Sequence, residues 1–283
     1  MPSEFISALG LIKWSGALTN EQLGLISKEK SKSIQKAAQN LIDGDVNEEF
    51  LVDVFQTGSG TSSNMNANEV IASIASLLTD EKIHPNDDVN MSQSSNDVIP
   101  TAISIAAMIL LKESLLPALN KIISSLGHKS GSLKDVVKTG RTHLMDAMPI
   151  TLAQEVDGWK YQIQKVRDRI EESQGRLSCL AQGGTAVGTG INAHPDFAEK
   201  FVKNVSKKTS IDFKVSPSYF EAMSSQDSSL ELSSHLRSLA TCLIKISNDL
   251  RWMNSGPLAG ISEIKLPELQ PGSSIMPGKV NPV

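Results

Sequence analysis

Apolar residues recur at alternating spacings of four and three along two stretches of this chain, and that rhythm restricts what it can fold into. The first series is Leu152, Val156, Trp159, Ile163, Val166 and Ile170; the second is Leu232, Leu236, Leu239, Leu243, Ile246 and Leu250. Helical geometry places such positions on one stripe, and stripes this long must be buried against other helices. A third stretch, Thr101 to Leu126, is apolar over more of its circumference. Pro117 lies inside it, removing a backbone donor and crowding the preceding turn, so a kink is expected there in a helix that continues. Upstream, Phe5, Ile6, Leu9 and Ile12, then Leu23, Ile26, Ile34, Ala37 and Leu41, mark shorter helices. No strand-like alternation competes with these patterns. The expected fold class is all-α: a small N-terminal helical region over residues 1–96, then a long-helix bundle over 97–283.

With 283 residues, 40% of them hydrophobic, the chain can bury a substantial core. A net charge of −4 and 4% aromatic residues argue against a nucleic-acid partner, which would call for a basic face with stacking aromatics. No apolar run approaches the roughly 20 residues that cross a bilayer, and the N-terminal MPSEFISALG lacks the features of a signal peptide. No membrane partner and a cytoplasmic location are therefore expected. Cys179 and Cys242 lack metal-ligand spacing and read as buried reduced thiols, so no metal is expected.

The segments between the helices are richer in Gly, Ser, Thr and Asn than linkers require. "GSGTSSNMNANE" (Gly58 to Glu69) brings hydroxyls and carboxamides to a helix entrance, which serves equally as an ordinary cap or as an anion site. A nucleotide reading of its glycines fails for want of a strand before it. "HPNDDVNMSQSSNDVIPTA" gathers His84, Asn86, Asn90, Ser94, Ser95 and Asn96 ahead of a long helix. Asp97 and Thr101 fit helix entry, yet the remaining donors exceed what capping needs and suit a small polyanion. "GRTHLMDAMPITLAQE" supplies Thr142 and His143, and a lone histidine can be structural or catalytic. His128, His194 and His235 are read as structural. The glycines of "GGTAVGTGIN" permit close backbone approach to a ligand, or only a flexible connection. "GSSIMPGKVNPV" ends the chain with Ser273, Ser274, Lys279 and Asn281, a loop of anion-gripping groups.

Taken in order and spacing, these segments, with "IKISNDLRWMNSGP" and above all "GSSIMPGKVNP", closely resemble class II fumarate hydratases of the fumarase/aspartase superfamily. The resemblance runs over essentially the whole chain. It implies reversible anti elimination of water from (S)-malate, a small dicarboxylate, with no cofactor. Aspartate ammonia-lyase is the alternative within the superfamily; the Thr142-His143 pair leans towards the hydratase, since ammonia-lyases typically carry Thr-Gln there. By the same resemblance Ser273 matches the catalytic base and His143 the acid side or an activated water. Ser59, Thr61, Asn64, Ser94, Ser95, Asn96, Thr142, Lys279 and Asn281 match substrate contacts. His84, Asn86, Asp87 and Asn90 match a secondary dicarboxylate site. The resemblance further implies a homotetramer whose active sites draw on three subunits, and family members longer than this chain at both ends. An inactive truncated interaction subunit is therefore a further alternative.

Overall fold

The stripe-bearing segments are helices, and the first stripe is buried along its whole length. A computed structural model describes residues 1–55 and 60–281. Helices α1 (Ser3–Gln22), α2 (Lys28–Asp43), α3 (Thr61–Ser76), α4 (Ser95–Leu110), α5 (Leu116–Ser132) and α6 (Leu152–Leu177) are followed by α7 (Phe197–Thr209), α8 (Tyr219–Ser224) and α9 (Asp227–Met253). Leu152, Val156, Trp159, Ile163, Val166 and Ile170 of α6 are all buried. Each such side chain contributes on the order of 1.5–3 kcal/mol when fully removed from water. The α9 stripe behaves differently. Leu232, Leu239 and Ile246 are buried at a seven-residue period, whereas Leu236 and Leu243 are exposed.

Packing divides the chain into two compact units, each built from separate stretches: Met1–Ala118 with Glu171–Leu232, and Leu119–Ile170 with Ser233–Val283. In the first unit α1 packs on α2, α4 and α7, around Ile6, Leu9, Ile12, Ile34, Leu41, Ile105 and the stacked rings of Phe197 and Phe201, 5.9 Å apart. In the second unit the indole Nε1 of Trp159 donates to Asp249 at 3.0 Å, so a polar bond fixes α6 against α9 beside the apolar stripe.

The helix continues past Pro117, as expected: Leu111–Leu115 form a π turn just ahead of α5, which accommodates the donor that proline lacks. Three other sequence expectations need correction. Strands do occur. β1 (Val137–Thr142) and β2 (Met145–Thr151) make an antiparallel hairpin, while the two-residue strands β3 (Cys179–Leu180) and β4 (Lys214–Val215) pair in parallel. The hairpin escapes a search for alternation because both its faces are largely exposed, so no apolar period of two is imposed. Finally, the continuous helix Ser95–Ser132 is long and apolar enough, by length and composition, to cross a membrane. Val98, Ala102 and Ile105 of that helix are buried within the first unit, and a core helix meets the same criterion. Cys179 and Cys242 are free thiols, half-buried rather than fully buried.

Candidate active site

Helix α1 is buried over most of its circumference, so its few polar positions need partners. Lys13, Gly16 and Asn20 lie on one face, three and four residues apart, and grip the segment Asn90 to Gln93. Lys13 is completely buried; its Nζ donates to Asn90 Oδ1 at 2.9 Å and to Gln93 Oε1 at 3.1 Å. A Cβ at residue 16 would stand 2.8 Å from Gln93 Nε2, so glycine is what lets that amide lie against the helix. Asn20 Nδ2 donates to the Met91 carbonyl at 3.1 Å, and Ser92 Oγ donates to Asn20 Oδ1 at 3.0 Å. That last bond holds Ser92 in a left-handed backbone (φ 62), an uncommon state for a residue with a side chain. Burial pushes the Lys13 ammonium down to about 7, against the opposing pull of the Asp97 charge.

The gripped segment leads into α4, whose start brings several predicted contacts together. Ser94 is the N-cap and forms a capping box with Asp97. Asn64, on α3 and almost fully buried, donates through Nδ2 to Ser95 Oγ at 2.9 Å and to Asn90 Oδ1 at 3.3 Å. Asn96 Nδ2 reaches the Ala186 carbonyl at 2.7 Å, in the Gly183 to Asn192 loop. Asp97 binds the same loop more firmly. One carboxylate oxygen accepts from Ser94 N at 2.9 Å; the other accepts from Gly183 N at 3.0 Å and Thr185 N at 2.9 Å. Burial raises the Asp97 carboxyl to about 6, although those three backbone donors and the Lys13 charge all favour its ionised form.

Thr61 opens α3 and is exposed. Ser59 lies outside the described residues. The four residues matched to a secondary dicarboxylate site do not converge. His84 Nδ1 accepts the backbone N–H groups of Asn86 and Asp87 at 3.3 and 3.2 Å on the surface, whereas the Asn90 side chain turns inward to Lys13.

In the second unit Thr142 ends β1, and His143 with Leu144 forms the turn between β1 and β2. Both turn residues have positive φ, 50 and 65, the geometry that two-residue hairpin loops require and that Asn and Gly usually supply. Keeping His and Leu there stores strain at the tip that presents the imidazole. Gly140 sits at the register shift of the ladder, where a Cβ would meet the Met148 carbonyl oxygen at 2.6 Å.

An ion-pair network ties this hairpin down. Arg141 makes a bidentate pair with Glu263, its Nη2 standing 2.8 Å from Oε2, and Lys138 bridges Glu263 at 2.9 Å and Glu155 of α6. The Arg141 hydrogen bonds, aided by Lys138, pull the Glu263 carboxyl down to about 2. A carboxyl depressed in the folded state stabilises the fold above its ordinary value of 4.5, and that contribution is lost as pH falls towards 2. Allowing for water that reaches the pair, it amounts to about 1–2 kcal/mol. Glu263→Gln is therefore expected to lower stability at pH 7 and to flatten the acid-unfolding limb below about pH 4.5, read by circular dichroism against pH. An acid limb as steep as in the parent would remove Glu263 from this role.

The terminal loop folds back on itself. Gly272 N donates to the Lys279 carbonyl at 2.8 Å, and Pro271 pairs with Val280. Lys279 Nζ and Asn281 Nδ2 both approach the Gly272 carbonyl, at 3.5 and 3.4 Å, so the two predicted carboxylate binders share one loop. Ser273 Oγ accepts two backbone N–H groups, from Ile275 and Met276, each at 3.2 Å. Donors aimed at a serine oxygen stabilise its deprotonated form, which is what a serine base requires.

Sequence reasoning missed Lys13, Asn20, Arg141 and Glu263, and assigned Asp97 only to helix entry. For Lys13 and Asn20 a signal existed: a lysine and an asparagine seven apart with a glycine between, inside the largely apolar stretch "IKWSGALTN". For Glu263 none did, because Arg141 stands 122 positions away.

The whole chain is similar to a known family and to several known proteins. The sequence profile of a lyase family matches residues 3–283. A class II fumarate hydratase of Xylella fastidiosa (strain 9a5c) is 54% identical over 283 residues, which is all of this chain and 60% of that protein. One of Bacillus subtilis (strain 168) is 47% identical, again over all of this chain and 62% of the relative. Among solved structures, the class II fumarase of Schistosoma mansoni superposes with a TM-score of 0.96 at 39% identity, covering 100% of this chain and 63% of that one. The fumarate lyase:delta crystallin of Brucella melitensis bound to cobalt superposes at 0.93 with 42% identity, covering 99% and 62%. The chain thus spans about 60% of the length of the curated relatives it matches. A profile match from end to end, together with identities near one half, means that the chain belongs to this lyase family.

Proposed function

We propose that this chain carries substrate loops and bundle helices of a class II fumarate hydratase, which interconverts (S)-malate with fumarate and water. Ser273 takes the proton from C3, the C2–O bond breaks on the opposite face, and His143 delivers a proton to the departing hydroxide, directly or through a water. Charge builds on the carboxylate next to C3, where Lys279 and Asn281 stabilise it. Thr61, Asn64, Ser94, Ser95, Asn96 and Thr142, with Ser59, hold the substrate, and of the secondary dicarboxylate site only the surface residues His84, Asn86 and Asp87 are kept, because Asn90 is bonded inward to Lys13. The enzyme works as a cytoplasmic homotetramer whose sites draw segments from several subunits, and the exposed Leu236, Leu243, Ile244 and Trp252 on α9 support burial against neighbouring chains.

The observation that carries the reading is the pair of backbone donors on Ser273 Oγ, in a loop that also holds Lys279 and Asn281. His143 at the turn favours water over ammonia as the group eliminated. The purified chain should convert (S)-malate to fumarate, followed by ultraviolet absorbance, and should release no ammonia from L-aspartate. Ammonia release without malate turnover would replace the hydratase with the ammonia-lyase, and silence on both substrates would make the chain an interaction subunit.

A further inference from the structure

A completely buried lysine whose hydrogen bonds go to amide oxygens demands a reason. Removing an ammonium from water costs several kcal/mol, and an apolar side chain of the same length would fill the space without that cost. Lys13 nevertheless occupies the interior of α1 at 0% exposure, with hydrogen bonds directed at Asn90 and Gln93.

Its chemistry sets the polarity of everything bonded to it. The ammonium only donates, and even the neutral amine has two hydrogens for its two bonds, so Asn90 and Gln93 turn their oxygens towards it. Asn90 Oδ1 then accepts Asn64 Nδ2 as well, and Asn90 Nδ2 is directed at the Gln93 carbonyl, 3.2 Å away. Asn64 spends both Nδ2 hydrogens on acceptors, Asn90 Oδ1 and Ser95 Oγ. Ser95 Oγ, already accepting, has its own hydrogen left to give. Asn64 Oδ1 is buried and has no protein partner among the described residues. Reverse the first amide and every later donor becomes an acceptor. We propose that Lys13 is a positioning residue of the substrate site: through Asn90 and Asn64 it fixes the Ser95 hydroxyl as a donor to a substrate carboxylate.

This inference rests on the dicarboxylate reading, and its test separates the two. Lys13→Met removes the cation and keeps the length. A lysine with a merely structural role would leave a variant of equal or greater stability with unchanged affinity, because buried charges replaced by apolar groups are often neutral or stabilising. The expected result is a fumarate dissociation constant raised about tenfold or more by isothermal titration, the loss of one charge-assisted orienting bond. Asn90→Ala, which keeps Lys13 but cuts the relay, should weaken fumarate binding to a similar extent, and it decides the matter if Lys13→Met does not fold. Unchanged fumarate affinity in a folded variant overturns the proposal. Should the parent chain bind no fumarate, the dicarboxylate reading falls, and the relay is then read from the Asn64 side-chain amide in 15N spectra. Distinct, slowly exchanging NH2 signals in the parent that collapse in Lys13→Met uphold the relay, and signals that do not change refute it.

Discussion

Asp97→Ala is expected to destabilise the first unit by about 3 kcal/mol, and the size follows from two opposing effects. Removing the carboxylate strands three backbone N–H groups, of Ser94, Gly183 and Thr185, at a cost of roughly 1–3 kcal/mol each when buried. Against this, the variant no longer keeps a charge in a site that raises its pKa from 3.8 to about 6, which returns about 3 kcal/mol at neutral pH. The stranded donors win. Asp97→Asn, which keeps one accepting oxygen and no charge, should lose about half as much, and urea midpoints at constant slope would measure both. Equal midpoints for Ala and parent would mean that the two loops are held by other contacts.

The pH dependence of this group runs opposite to that of Glu263. A carboxyl whose folded pKa is raised takes up its proton in the folded state first, so its contribution to global stability grows as pH falls from about 6 to 3.8. The staple itself weakens over that window, because a protonated oxygen is a poorer acceptor for Gly183 and Thr185. Dicarboxylate binding should therefore decline below about pH 6 while the fold persists, and Asp97→Asn should be indifferent to that range.

The other large effect concerns chemistry. Ser273→Ala is expected to lower malate turnover by roughly 10²–10⁴-fold, the span associated with removing a positioned base, while KM stays within a few fold. The reason is geometric: Ser273 Oγ is where the Ile275 and Met276 N–H groups point, so alanine deletes the atom those donors reach, and Lys279 and Asn281 remain to hold the carboxylate. Turnover near that of the parent would remove Ser273 as the base. A rise in KM with unchanged kcat would make it a binding group instead.

The sequence by itself determined the helices and the chemical character of the loops. The spacing of Leu152 through Ile170 is a one-dimensional record of a buried stripe, and all of those residues are buried. The family assignment was equally legible, because the segments around His143 and Ser273 are contiguous motifs. Along α9 the same spacing could not say that Leu236 and Leu243 would face outward while Leu239 went in, since periodicity names a stripe but not what covers it. What only the tertiary structure decided are the partnerships between distant positions. Lys13 meets Asn90 across 77 residues, Asp97 meets Gly183 across 86, and Arg141 meets Glu263 across 122. Local patterns carry propensity and period, whereas hydrogen bonds of this reach depend on where packed helices deliver each loop. Burial then gives those few groups their altered affinity for protons, and neither the burial nor the partner is written in the neighbouring residues.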